Sequence, residues 1–233
     1  MKFTVEGVDY ELSPSLEKEY GNAFKAACDA VSKTIEIIRS PGYKDRSSWK
    51  ADCSNEHATV YYKDIDGLRY FAAKTKIPLP AQVLVDAHWN DIDNVKDYND
   101  NIKFSRCLTK LTDNVDVANY ASNEKFMVSS REFLVGRMRI SFGNGYILAG
   151  RSCEIDGFKS SKNTVRAFAH VAAGWYYPDP EDPDSSIYDY LVSMDLKGML
   201  VKTVANQALG KMVLADVENN RLHALKLSAQ QDH

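Results

Sequence analysis

The sequence predicts an α+β fold in which an antiparallel sheet is flanked by a long helix at each end of the chain. Three observations carry this: a helical apolar stripe near the start, nine strand-like runs separated by short turns, and the return of a helical period after Gly198. Ser13 is placed to cap a helix whose first position is Pro14, and apolar residues follow at Leu16, Tyr20, Phe24, Ala27, Val31, Ile35 and Ile38. That spacing predicts one amphipathic helix over about 13–39, closed by the Ser-Pro-Gly of 40–42.

The strand candidates then follow in order, over about 47–195. WKADC, ATVYYK and LRYFAAKTKI come first, split by SNE and the turn DIDG, and PLPAQVLVDAHWN reads as a short helix. KFSRCLTKL, VDVANYA, SSREFLVGRMRISF, YILAGRSCEI and VRAFAHVAAGWYY continue the series, with Gly-Asn-Gly at 143–145 as a hairpin turn. An acidic loop, PDPEDPDSS, leads to the last strand, IYDYLVSMD. Beyond Gly198, Leu200, Val201, Val204, Ala205, Ala208, Leu209, Met212, Val213 and Val217 form a helical stripe, predicting a second long helix over about 199–227. Successive strands with short turns pair antiparallel, and the two helices must bury their stripes on the sheet.

With 233 residues, 44% of them hydrophobic and 26% charged, the chain suffices for one domain spanning 1–233 with a sizeable core. The net charge of −3 argues against a nucleic-acid partner, which selects for an excess of Lys and Arg. No apolar run reaches membrane-spanning length, and the opening MKFTVEGVDYELSPS has acidic residues where a leader needs an unbroken apolar stretch, so a cytoplasmic location is expected. Cys28, Cys53, Cys107 and Cys153 lie far apart with no CxxC pair, as reduced and mostly buried thiols do.

Catalytic constellations are sparse. His57, His88, His170, His223 and His233 show no metal-ligand spacing, and neither a nucleophile elbow nor a phosphate loop is present. The carboxylates of Asp179, Glu181, Asp182 and Asp184 lack the Gly and terminal Glu of a calcium loop. The sequence therefore implies no metal, no cofactor and no enzyme. One strand poses a sharper question. Side chains two apart share a face, which puts Leu134, Gly136, Met138, Ile140 and Phe142 on a core face. The other face carries Phe133, Val135, Arg137, Arg139 and Ser141, and its arginines face either an interior or water.

Three strings resemble the START domains, the lipid-transfer modules related to steroidogenic acute regulatory protein. They are SMDLKGMLVKTVANQALGKMVLADVENNRL at the end, SSREFLVGR at 129–137, and Trp49 of SSWKAD together with DYNDNIKF at 97–104. The similarity runs from about Trp49 to Leu222. It implies a helix-grip fold, a curved antiparallel sheet of about nine strands around the C-terminal helix, enclosing a cavity for one lipid. The match is closest to the sterol-carrying branch, although Met199 and Val201 stand where that branch often has Trp and Pro. The resemblance also implies that Arg137 faces the cavity opposite an acid on the preceding strand. Counting back without gaps reaches Ala118, while Asp116 lies two residues earlier on the same face. Arg131 is expected to tie the strand's start to nearby carboxylates.

The expected lipid-binding residues are thus Arg137, Asp116, Ala118, Tyr120, Val135 and Phe133 from the sheet, and Ala205, Ala208, Leu209 and Met212 from the last helix. SNEKFMVSS at 122–130 falls at a lid, with Phe126 and Met127 beside Lys125 for transient membrane contact. The function so implied is transfer of a sterol between intracellular membranes by a monomer. The alternatives are a phospholipid carrier, a lipid-sensing interaction protein and, further off, an enzyme on the same scaffold.

Overall fold

The computed structural model describes residues 1–231; the sequence expectation for His233 lies outside them. Strands β1 (Lys2–Val5) and β2 (Val8–Glu11) form a hairpin, a pair the sequence reading passed over. Helix α1 (Pro14–Ile38) follows, with Pro14 in its first turn. Ser13 makes no capping bond; its hydroxyl meets that of Ser15 at 2.8 Å instead. Next come β3 (Lys50–Ser54), β4 (Thr59–Ile65), β5 (Leu68–Ile77), α2 (Ala81–Asn90), a 3₁₀ turn at Ile92–Asn94 and the single turn α3 (Val95–Tyr98). The chain continues through β6 (Ile102–Thr112), β7 (Val115–Ser122), β8 (Arg131–Phe142), β9 (Gly145–Ser152), β10 (Val165–Arg166), β11 (Phe168–Asp179) and β12 (Asp182–Asp195). It ends in α4 (Lys202–Gln231).

The large sheet has ten strands, in the order β3-β4-β5-β12-β11-β9-β8-β7-β6, with the short β10 alongside β8. The β10–β8 pair is parallel and every other ladder is antiparallel. The acidic segment expected as a loop is mostly strand. β11 and β12 run to Asp179 and from Asp182, and Lys76 on the neighbouring strand meets both carboxylates, at 2.8 and 3.1 Å, offsetting their repulsion.

The two faces bury different things. α1 packs on the outer face over β8, β9 and β11, where Phe24, Ala27 and Val31 meet Leu134, Met138 and Ile147. Gly136 permits this contact, since a Cβ there would stand 2.0 Å from the carbonyl oxygen of Ala23. α4 lies against the inner face over β5, β3 and β4, and Gly210 is its point of closest approach: a Cβ there would stand 1.9 Å from Asp52 Oδ2. Cys28 and Cys153 are buried, Cys53 and Cys107 half-buried, and none of the four is bonded to another.

Candidate functional site

Between the inner face and α4 lies a cavity of about 210 Å³. Its space comes from small residues at inward positions in the middle of the sheet. One row across the strands reads Asp116–Arg137–Gly150–Ala172–Val192, and the next reads Arg139–Leu148–Gly174–Tyr190. Gly174 is also needed because the Tyr176 ring folds back over it, and a Cβ there would meet the phenol oxygen at 2.6 Å. Phe133, Val135, Leu148 and Met194 on the strands, with Leu209 and Met212 on α4, give the wall an apolar character.

Into this wall the sheet sets one buried ion pair. Asp116 and Arg137 stand directly opposite each other in the β7–β8 ladder. Arg137 donates from Nε to Asp116 Oδ1 at 2.9 Å and from Nη2 to Oδ2 at 2.6 Å, the bidentate geometry that best offsets desolvation of both charges. Nη2 also reaches the carbonyl of Trp89 at 3.3 Å. Among the described residues Nη1 has no hydrogen-bond acceptor, and the Arg137 side chain lines the cavity. The Trp89 ring lies between Arg137 and Arg139, 4.9 and 5.1 Å from their guanidinium carbons, so α2 closes this end of the sheet. Arg139, one inward position further along β8, turns to Asp86 of α2 at 2.7 Å.

Beside this pair, His88 Nδ1 and the Tyr176 hydroxyl are 2.8 Å apart, and the Tyr188 ring packs edge-on to the imidazole. Burial holds His88 neutral by pushing its pKa down to about 4. Its Nε2 is buried without a partner among the described residues. On the helix side, Asp216 projects from α4 and Oδ1 accepts from Asn99 and Asn101 at 2.9 and 2.7 Å. Burial raises the Asp216 pKa above the ordinary carboxylate value, and also raises those of Tyr120 and Tyr98.

An antiparallel sheet packed on a C-terminal helix is also the fold in which solved structures match this chain. The START domain pattern covers residues 40–231. The chain belongs to the START domain family. Steroidogenic acute regulatory-like protein 1 of Caenorhabditis elegans is 32% identical over 216 residues, 92% of this chain and 83% of that protein. Human StAR-related lipid transfer protein 5 superposes with a TM-score of 0.75 at 16% identity, over 89% of this chain and 98% of that structure. Human STARD10 does so at 0.72 and 22%, over 88% and 82%. The helix-grip architecture expected from the sequence is thus shared with solved START structures.

Within this START cavity, six of the expected residues form the wall: Phe133, Val135, Arg137, Tyr120, Leu209 and Met212. Asp116 stands behind Arg137 as its partner. Ala118, where the gap-free count pointed, lies opposite Val135 and packs in the inner core without lining the cavity. The β7–β8 ladder register sets Asp116 opposite Arg137, two residues from the position the count reached. Ala208 is buried in packing and Ala205 lines a separate surface cleft with Leu196 and Leu200. Both fall outside the cavity because the first two turns of α4 lie beyond its end. Arg131 reaches backbone carbonyls rather than carboxylates, donating to those of Leu196 and Ser129 at 2.6 Å each and so holding the start of β8 to the approach of α4.

The cavity residues that the sequence reading missed are His88, Asp216, Asn101, Ser105 and the aromatic group of Tyr98, Tyr176, Tyr188 and Tyr190. Two signals were available: the alternation Tyr188, Tyr190, Val192, Met194 in one strand, and a lone Asp in the apolar stripe of the last helix. At the β7–β8 connection, Lys125 and Val128 exchange backbone hydrogen bonds around a two-residue tip. Both tip residues, Phe126 and Met127, are in the left-handed region, at φ 51° and 65°. Met127 is 91% exposed and Phe126 is 40% exposed, the latter beneath Lys211 Nζ at 5.7 Å.

Proposed function

We propose that this START protein binds one lipid in the cavity and carries it between membranes as a monomer in the cytoplasm, making no bond and breaking none. A sterol is the guest, with Arg137 Nη1 donating to its hydroxyl. The observation that carries this is the buried pair itself: a guanidinium held by Asp116 on one edge, with its remaining nitrogen at a mainly apolar hollow. The kinship with proteins named for steroidogenic regulation and for lipid transfer supports the same reading.

The energetics explain why a lid is needed. A lipid that buries roughly 500 Å² of apolar surface gains on the order of 12 kcal/mol as an upper figure, so escape through water is slow. The cavity, about 210 Å³, is below the roughly 300–1,000 Å³ usual for ligand sites. Entry therefore requires α4 and the Phe126–Met127 hairpin to move outward. That hairpin supports the membrane step, because an exposed apolar pair in the left-handed region costs about 1–2 kcal/mol per residue in backbone strain. An apolar surface to enter offsets such a cost.

The test is transfer of a labelled sterol between liposomes. Changing Phe126 and Met127 together to Ser slows transfer about fivefold or more while leaving thermal stability within the small range typical of surface changes. An unchanged rate contradicts the lid and its membrane contact.

A further inference from the structure

Arg46, Arg131 and Arg137 are buried, at 4%, 3% and 8% exposed. Arg46 meets Asp189 and Arg137 meets Asp116. Arg131 alone of the three has no carboxylate partner among the described residues, and burial lowers its pKa below the ordinary arginine value. Glu132, next in the strand, points to the opposite face, where Asn119, Ser161 and Thr164 hold it. Only neutral oxygens surround the Arg131 guanidinium. Nε donates to the Leu196 carbonyl at 2.6 Å, Nη2 to that of Lys197 at 3.3 Å, and Nη1 to both the carbonyl and the hydroxyl of Ser129 at 2.6 Å each.

A buried cation calls for an anion, because carbonyl dipoles repay less of its lost hydration than an opposite charge does. The chain itself offers a place to carry one. Ser129 is exposed, whereas Ser130 beside it is buried and donates its hydroxyl to the Ser122 carbonyl at 2.6 Å. Ser129 is therefore the reachable hydroxyl of the two, and its oxygen already lies within hydrogen-bond reach of Arg131 Nη1. A phosphate ester at that oxygen brings acceptors to Nη1 and Nη2 together, the forked pairing that guanidinium makes with phosphate. A phosphate arriving from outside is a poorer fit, since Ser129 and the segment after Leu196 cover the guanidinium: a Cβ at Gly198 would stand 3.4 Å from Nη2.

We infer that Ser129 is a phosphorylation site whose phosphate is held by Arg131, and that the modification slows lipid transfer. The Ser129 hydroxyl attacks the terminal phosphorus of a nucleoside triphosphate on a serine kinase. The Oγ–phosphorus bond forms, the bond to the bridging oxygen breaks, the nucleoside diphosphate leaves and the hydroxyl proton passes to the base of the kinase. The position sets the sign of the effect. Arg131 joins the base of the Phe126–Met127 hairpin to the approach of α4, the two pieces that move outward for entry, and a phosphate carrying about two negative charges tightens that joint. The same charge stands two residues from the exposed Met127 and opposes contact of the tip with an anionic bilayer. The effect on transfer rests on the lipid-carrier reading, whereas the bond between the phosphate and Arg131 does not.

The test uses the full chain made with phosphoserine encoded at position 129 and the same chain unmodified. By phosphorus NMR, the second pKa of the phosphate, about 6 in water, falls to about 5 or below in the folded protein, because the guanidinium favours the dianion. It returns to about 6 when the same protein is unfolded in urea, and in Arg131→Gln. The folded and unfolded readings come from one chain, so the result does not depend on the folding of a variant. Transfer of labelled cholesterol between vesicles of phosphatidylcholine and phosphatidylserine slows about threefold or more on modification. Mass mapping of the chain from its native cells under phosphatase inhibition finds the phosphate on Ser129. A phosphate that titrates near 6 in the folded protein, a transfer rate unchanged or raised by the modification, or a Ser129 that carries no phosphate in those cells overturns the inference and leaves the carrier reading standing. Failure of the unmodified chain to transfer any sterol or phospholipid overturns the carrier reading instead, and the titration still decides the phosphate site.

Discussion

The two faces of one strand, β8, show how differently the sheet uses its interior. Leu134, Gly136 and Met138 point outward into a packed layer under α1, where helix backbone touches strand backbone at Gly136. Phe133, Val135 and Arg137 point inward to a wall that α4 covers without filling. Each face holds a buried Arg–Asp pair. On the outer side Arg46 meets Asp189 at 2.5 Å with its guanidinium 4.0 Å over the Tyr43 ring, enclosed by side chains. On the inner side Arg137 keeps one nitrogen toward open space. The lesson is that stability and binding are divided by strand parity: the solid side holds the sheet in shape so that the other side can stay hollow.

The largest effect that tests this division comes from the glycines. Gly136→Val forces a side chain into the Ala23 carbonyl and costs about 4–5 kcal/mol in urea unfolding. Gly150→Ala, whose new methyl would meet Arg137 Cγ at an ordinary 3.4 Å, costs about 1 kcal/mol or less. Similar losses at both sites would mean that the inner face is as tightly packed as the outer.

Next comes the inner ion pair. Arg137→Met leaves Asp116 buried and uncompensated and costs about 3–4 kcal/mol, whereas Arg137→Met with Asp116→Leu recovers most of that loss. A single variant as stable as the wild type would show that Asp116 is solvated and the pair structurally idle.

The third effect is His88, with its pKa held down to about 4 against an ordinary 6.5. Between those values the unfolded chain carries a proton that the folded chain refuses. The contribution of His88 to stability is therefore complete above about pH 6.5 and is lost as pH falls toward 4, by about 3 kcal/mol in all. His88→Leu removes this slope from the stability profile over that range. Asp216 and Asp189, whose pKa values burial raises, act with the opposite sign and remain in both proteins, so the difference isolates His88. Equal slopes in both proteins would place the imidazole in water.

Much of this arrangement was legible because it depends on period. The stripe from Leu16 to Ile38 and the alternation along β8 follow local rules, and the structure follows them residue by residue. The hairpin at Glu6–Gly7 was equally local, with both residues at positive φ, and was passed over in a segment read only for the absence of a leader. What period does not encode is register and depth. Asp116 and Ala118 share a face, and only the ladder decides which of them meets Arg137. Ala205 and Leu209 share a helix face, and only the position of α4 along the sheet puts the second at the cavity and the first beyond it. His88 and Asp216 were missed for a related reason. The role of each depends on partners, Tyr176 and Asn101, that lie 88 and 115 residues away in sequence.

The central claim is that the space under α4 holds a single guest. Native mass spectrometry of the protein purified from lipid-containing cells tests it most directly. The account predicts a mass exceeding that of the chain by one sterol-sized molecule, displaced by added sterol in a ratio of one to one. A chain that stays at its bare mass after exposure to sterols and phospholipids would contradict it.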